Sequence, residues 1–166
     1  MLMTMIRAAV LTLLITLLQA PPVVAQAAGD VIARWTADQS TVFDASEVVL
    51  DDLLWVARPI VVFADSPDQP QFLEQMRLLR ADATGLAIRD VIIIVDTDPA
   101  ARSAARQLLR PRGFSLVLLD KDGRVNFRKP DAWSVREITR QIDKMPLRLQ
   151  EVRERLGQGL APAGGG

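Results

Sequence analysis

Asp65, Asp96 and Asp98 are the side chains of this chain best placed to do chemistry, with Ser66, Asp68 and Ser115 beside them in the argument. Asp65 and Asp96 each follow an apolar run that reads as a strand, and Asp98 stands just beyond the second. Carboxylates at the C-terminal ends of neighbouring parallel strands share one sheet edge, the edge where α/β proteins place their ligands. Three or four carboxylates without histidine suit Ca²⁺ or Mg²⁺, which prefer oxygen ligands. Each also has a structural use: Asp98 as a helix cap, Asp68 against a helix dipole and Asp65 in a turn. The structural uses are the expected ones, and no catalytic residue, cofactor or metal ligand is assigned.

Composition narrows the chemistry further. The chain has 166 residues, no Cys, no His and no Tyr. Disulfides, thiolate metal sites, iron–sulfur clusters and redox dithiols are therefore excluded within it. A serine nucleophile would lack its usual imidazole base, and no Gly-x-Ser-x-Gly, Walker or dinucleotide loop occurs. Lys and Arg number 20 against 20 Asp and Glu, so no net charge drives nucleic-acid binding. At 49% hydrophobic and 24% charged residues the composition is that of a globular domain.

Residues 1–27 read as a signal peptide. Arg7 precedes an apolar run from Ala8 to Leu18, Pro21-Pro22 ends any helix, and Ala25-Gln26-Ala27 offers a small-x-small cleavage site. The run is shorter than the ~20 apolar residues that span a bilayer. The expected organisation is leader 1–27, domain 28–156 and a mobile tail 157–166 ending in Ala-Pro-Ala-Gly-Gly-Gly. The expected destination is the periplasm or the exterior, with no membrane span after cleavage.

The elements that must position the carboxylates follow from periodicity. A short helix is expected over 46–55, capped by Asp44 or Ser46, with Trp55 in the core. Pro59–Ala64 and Val91–Val95 are continuous β-branched runs, hence strands buried on both faces. Ser66-Pro67-Asp68-Gln69 predicts a helix capped by Ser66 and running to about Ala83, burying Phe72, Leu73, Met76 and Leu79. Asp98-Pro99 predicts a helix with Ala101, Ala104, Ala105 and Leu108 inward, stopped at Arg110-Pro111-Arg112-Gly113. Phe114–Leu119 and Arg124–Arg128 flank a tight Asp120-Lys121-Asp122-Gly123 turn. Ser134-Val-Arg-Glu137 starts a last helix with Val135, Ile138, Ile142 and Met145 inward; Pro146 interrupts it and Leu147–Leu156 continue it. Trp133 reads as a staple residue at its start. Arg136, Arg140 and Lys144, with Arg128, Lys129 and Arg148 nearby, read as a solvated basic stripe.

This order, helix then β-α-β-α-β-β-α, is an α/β arrangement with a mixed four-stranded sheet flanked by helices: a thioredoxin-like fold. A flavodoxin-like sheet would need a helix where only the Asp120–Gly123 turn stands. A thioredoxin-like enzyme keeps its cysteine in the turn after the first βαβ strand, here Ala64–Gln69, which has no thiol and already carries two carboxylates. The approach to the hairpin, Arg112-Gly113-Phe114-Ser115, has no proline beside the strand.

Three segments resemble the DUDES family: Trp55-x-x-Arg58-Pro-Ile-Val-Val-Phe-Ala64, Gly113 to Gly123, and Ile142-Asp-Lys-Met145-Pro146-Leu-Arg148-Leu-Gln-Glu151. The resemblance covers roughly residues 48–152. It implies a cysteine-poor, thioredoxin-like relative of peroxiredoxins, found as exported bacterial proteins and inside extracellular-matrix proteins, with no established activity. It also marks Trp55, Arg58, Lys121, Asp122, Gly123, Met145, Pro146 and Arg148 as structural motif residues. Asp120 stands where many relatives have Gly, which touches turn geometry. Arg148 is expected to pair with Glu151 or Asp143.

The function expected is a non-catalytic binding module that recognises a protein or envelope component, not nucleic acid. Its surface would be Asp65, Ser66, Asp68, Asp96, Asp98, Phe114 and Ser115. The alternative is a carboxylate-based enzyme or binding protein using a divalent ion.

Overall fold

Ile60 and Val62 pack into one core and Val61 and Phe63 into another, and all four are fully buried. That alternation is what a central strand covered on both faces requires. In the computed structural model, which describes residues 23–159, this strand is β2 (Arg58–Phe63). It lies parallel to β3 (Val91–Asp96) and antiparallel to β4 (Ser115–Leu119), with Ile60 opposite both Ile93 and Leu118. A second antiparallel pairing joins β4 to β5 (Val125–Lys129) through the turn at Gly123. That glycine has φ +80°, a conformation that demands glycine, while the Leu54 methyl 2.9 Å from where a Cβ would stand is a side-chain tip that could move aside.

Among the described residues six α-helices accompany this sheet: α1 (Val23–Ala37), α2 (Pro70–Ala81), α3 (Ala83–Ala87), α4 (Ala104–Leu109), α5 (Val135–Ile142) and α6 (Pro146–Gly159). Val31 and Trp35 of α1 join Phe43, Phe63, Ala105 and Leu109 in one core. Met76, Leu79, Leu86, Ile138 and Ile142 join Ile60, Val62 and Leu116 in the other. Parallel β2 and β3 must be connected by a crossover, which α2 and α3 supply; the hairpin then leads into α5. The fold is thioredoxin-like, as the order of elements predicts.

Among the described residues the sheet has five strands, not four. Its order is β1-β3-β2-β4-β5, with β1 (Val42–Asp44) parallel to β3. Three residues between two polar turns are too few to show a period of two, and pairing with β3 alone makes them a strand. The helix expected over 46–55 shrinks to a 3₁₀ turn at Leu50–Leu53.

The helix predicted from Ser66 begins at Pro70 instead, with Gln69 at its N-cap and no side-chain cap. A residue before proline is pushed out of the helical region, and Gln69 is extended at φ −61°, ψ 126°, so no helix can pass through it. Leu73 is consequently exposed, while Met76 and Leu79 are buried as expected. Asp98-Pro99 starts only a 3₁₀ turn (Pro99–Ala101); α4 follows under a Ser103 cap and buries Ala105 and Leu109, leaving Leu108 exposed.

The final helix matches its prediction closely. Ser134 Oγ accepts from the Glu137 N–H, and the Glu137 carboxylate accepts from the Ser134 N–H at 2.9 Å and its hydroxyl at 2.8 Å. These bonds, the hydroxyl's first, hold the Glu137 carboxyl below its ordinary value. Ser134→Ala is expected to lower the unfolding free energy by about 1 kcal/mol, read as a shift of the urea midpoint at constant slope. An unshifted midpoint would show that the box contributes nothing. Val135, Ile138, Ile142 and Met145 are all buried. Residues 1–22 of the expected leader and 160–166 of the expected tail lie outside the described residues; α1 runs through Ala27, and α6 includes 157–159. Among the described residues no helix is long and apolar enough to cross a membrane.

Candidate functional site

The turn leaving β2 stands where a thioredoxin-like enzyme keeps its thiol. The Ala64 N–H donates to the Asp96 carbonyl at 2.9 Å, which holds the ends of β2 and β3 together. The Asp65 N–H then donates to Gln69 Oε1 at 2.9 Å, closing the turn before Pro70. Asp65 and Asp68 are exposed and Ser66 is half-buried. This turn offers oxygen atoms and no sulfur.

Asp96 is not free to act. Its carboxylate accepts from Arg106 Nη2 at 2.7 Å, from Arg106 Nε at 3.0 Å and from the Ser103 hydroxyl at 2.5 Å, with 3% of its side chain exposed. Arg106 also donates to the Ala64 and Asp96 carbonyls and lies over the Phe63 ring at 5.3 Å. One guanidinium thus clamps the ends of both central strands. Asp98 accepts from the Ala100 N–H at 2.9 Å, the capping role read from its position. Among the described residues no three acidic side chains converge to hold a metal ion, so the divalent-ion reading finds no ligand set there.

Phe114 and Ser115 sit on the other flank of this edge. Both are buried, and Phe114 belongs to the α5-side core, so they form a floor more than a contact surface. Above them opens a groove of about 260 Å³ lined by Arg110, Pro111, Arg112, Arg128, Lys129 and Pro130. The sequence offers Arg110 and Arg112 only as a helix stop, and places Arg128 and Lys129 beside the α5 stripe. The hairpin brings all four to the rim of one groove, Arg128 on the α4 face of β5 and Lys129 on the α5 face. Arg136, Arg140 and Lys144 remain an exposed face of the last helical region.

The motif residues lie at the opposite pole. Arg58, whose side chain is fully buried, donates from Nε to Asp120 at 2.9 Å and from Nη2 and Nη1 to Glu151 at 2.9 and 3.2 Å. Its Nη1 also donates to the Arg89 carbonyl. Lys121 bridges Asp90 at 2.8 Å and Glu151 at 3.2 Å. Arg148 is buried, 3.3 Å from Glu151 and 3.9 Å from Asp143, so both expected partners are engaged; its Nε makes no hydrogen bond. Arg89 forks onto Asp143 at 2.8 and 2.7 Å. Burial pushes the Glu151 carboxyl up, but the Arg58 hydrogen bonds and charge, then those of Lys121, outweigh it and hold it below its ordinary value. The Arg89 hydrogen bonds do the same for Asp143.

Asp120 is therefore more than a turn residue, because its carboxylate neutralises a buried guanidinium. Trp55 is also corrected: it is 68% exposed, not core, and its backbone is left-handed at φ +63°. Its N–H donates to the Lys121 carbonyl at 2.8 Å, which holds that strained conformation in place.

Fold and edge together define a thioredoxin-like domain without cysteine, its β2 turn bare of thiol and its strand-end carboxylate locked in an ion pair. The chain belongs to the family described as domain of unknown function DUF4174, whose model matches residues 49–151 and so contains all three motif segments. No curated protein matches it. Among solved structures it is similar to thioredoxin peroxidase I of Plasmodium yoelii, at 18% identity and a TM-score of 0.46, over 72% of this chain and 87% of that one.

Proposed function

We propose that this chain is an exported, non-catalytic binding module of the DUDES type, whose working surface is the edge formed by the Ala64–Gln69 turn and the groove over Phe114 and Ser115. One observation carries the reading: next to the β2 turn where the fold would hold a reactive thiol, Asp96, Ser103 and Arg106 are bonded to one another, and on the other flank of that edge an open groove remains. Rigid internal bonding at a strand-end edge supports shape recognition, since a base or nucleophile needs an accessible partner. Export is supported by Arg7, the apolar run to Leu18 and the Ala25-Gln26-Ala27 site.

The test fills the groove without changing charge. Pro130 is exposed and lines it, so Pro130→Trp should block entry while leaving the core intact. Cross-linking of the full chain in its native envelope is expected to recover the same partner reproducibly, with recovery lost in Pro130→Trp at unchanged Tm. Equal recovery by both proteins would overturn the reading, as would turnover of peroxide or a mixed disulfide above solvent background.

A further inference from the structure

Arg110 and Arg112 of the loop after α4 and Arg128 and Lys129 at the end of β5 line one concavity, the last two leaving the strand on opposite faces. Among the described residues none of the four lies within ion-pair distance of a carboxylate, whereas Arg58, Arg89, Arg106, Lys121 and Arg148 all do. The stripe of Arg136, Arg140 and Lys144 differs, being a helix surface interleaved with Glu137 and Asp143. Arg128 is anchored at one nitrogen by the Leu109 carbonyl, and its other N–H groups make no hydrogen bond within the described chain. Lys129 holds its ammonium 4.2 Å over the Trp133 ring, which itself packs at a tilt against Phe127, ring centres 5.1 Å apart. Each of these two cations is thus held on its own face of β5 at the groove's rim before any ligand arrives, which reduces the ordering cost of binding.

Arg110 adds a different observation. It ends α4 in the left-handed region at φ +47°, its N–H donating to the Arg106 carbonyl at 2.9 Å. Glycine or asparagine is the usual residue at such a position, and an arginine there is strained.

We infer that the groove binds an extended acidic polypeptide segment, a statement that rests on the module reading above and names its ligand class. Several cations spread along a groove complement several carboxylates, and the Phe114, Pro111 and Pro130 surfaces between them suit the aliphatic side chains that alternate with those carboxylates in a strand. The groove also ends on β5, the last strand of the sheet, whose outer side has no strand neighbour among the described residues and whose Val125, Asn126 and Arg128 are exposed. An extended segment can pair its backbone with such an edge, and a compact anion cannot. Asp65, whose carboxylate lies beside Gly113, bounds the positive zone on the α2 side.

The probe is a fluorescent peptide of about ten residues alternating Glu and Val, followed by anisotropy with the full chain and compared with its Gln-for-Glu counterpart. Binding of the Glu peptide alone is expected, weakening steeply with salt. Arg112→Glu should weaken it about tenfold or more. Arg110→Gly should weaken it about threefold, with a Tm no lower than that of the native chain because the backbone strain is relieved. Equal binding of the Gln peptide, no binding, or unchanged affinity in Arg112→Glu would overturn the inference. Displacement of the peptide by inorganic phosphate or by a sulfated oligosaccharide at lower concentration than by unlabelled peptide would also overturn it, assigning the groove to a compact anion or a glycan. Envelope capture lost in Pro130→Trp but retained in Arg112→Glu removes the acidic class and leaves the module standing.

Discussion

Replacing Arg58 by methionine is expected to lower the unfolding free energy by about 3–5 kcal/mol, the largest effect of any single substitution at the motif pole. The side chain is fully buried, and its guanidinium serves Asp120, Glu151 and the Arg89 carbonyl at once. Methionine fills much of the volume but leaves Asp120 and Glu151, 11% and 19% exposed, facing apolar surface without their main counter-charge. Removing both acids with the arginine would be far milder, because the cost lies in charge left unpaired. Arg58→Lys keeps the charge, yet one ammonium cannot fork onto Glu151 while reaching Asp120, so a loss of about 2 kcal/mol is expected. Urea unfolding at constant slope measures both. A methionine variant within about 1 kcal/mol of the native chain would show that the network adds no stability.

The same network sets the acid limb of stability. Glu151 and Asp143 titrate below their ordinary values in the folded chain. Their contribution is therefore complete above the unfolded carboxyl values of ~4 and is lost as pH falls through the lower folded values. In Arg58→Met the main group lowering Glu151 is gone, so that variant's stability should fall less steeply on acidification.

At the opposite pole, Arg106→Met is expected to cost about 3 kcal/mol. Asp96 would keep only the Ser103 hydroxyl, and the Ala64 and Asp96 carbonyls would lose the donor that ties β2 to β3. Asp96→Asn keeps an oxygen for Arg106 but turns an amide NH2 group toward the Ser103 hydroxyl, and should cost about 1–2 kcal/mol. If Asp96 instead served a divalent ion, Ca²⁺ or Mg²⁺ would raise the native Tm and Asp96→Asn would abolish the rise. The clamp geometry predicts no response to either ion, and thermal melts with and without them decide between the two.

What could be read from the residues was what local chemistry encodes. β2, β3 and the hairpin show as apolar runs broken by turn residues, and Ser134 with Glu137 marks a helix start, because each signal spans only a few neighbouring positions. Asp98 as a cap and the absence of any thiol in the Ala64–Gln69 turn are local in the same sense. The delayed start of α2 was within reach too, since Pro70 restricts Gln69 as firmly as Pro67 restricts Ser66. β1 was not: three residues carry no period, and β3 lies about fifty positions away along the chain.

Composition and short-range pattern thus decided the fold class, the central strands and the exclusion of sulfur chemistry. Tertiary packing alone decided which charges are spent and which remain open. Arg58 meets Glu151 across 93 positions and Asp120 across 62, so neither contact leaves a periodic trace in the chain. The groove likewise exists only because the β4–β5 hairpin carries Arg128 and Lys129 back to the loop after α4, where Arg110 and Arg112 wait. A charge acquires its role from the partner folding brings within hydrogen-bond reach, and that partner is set by the sheet's register.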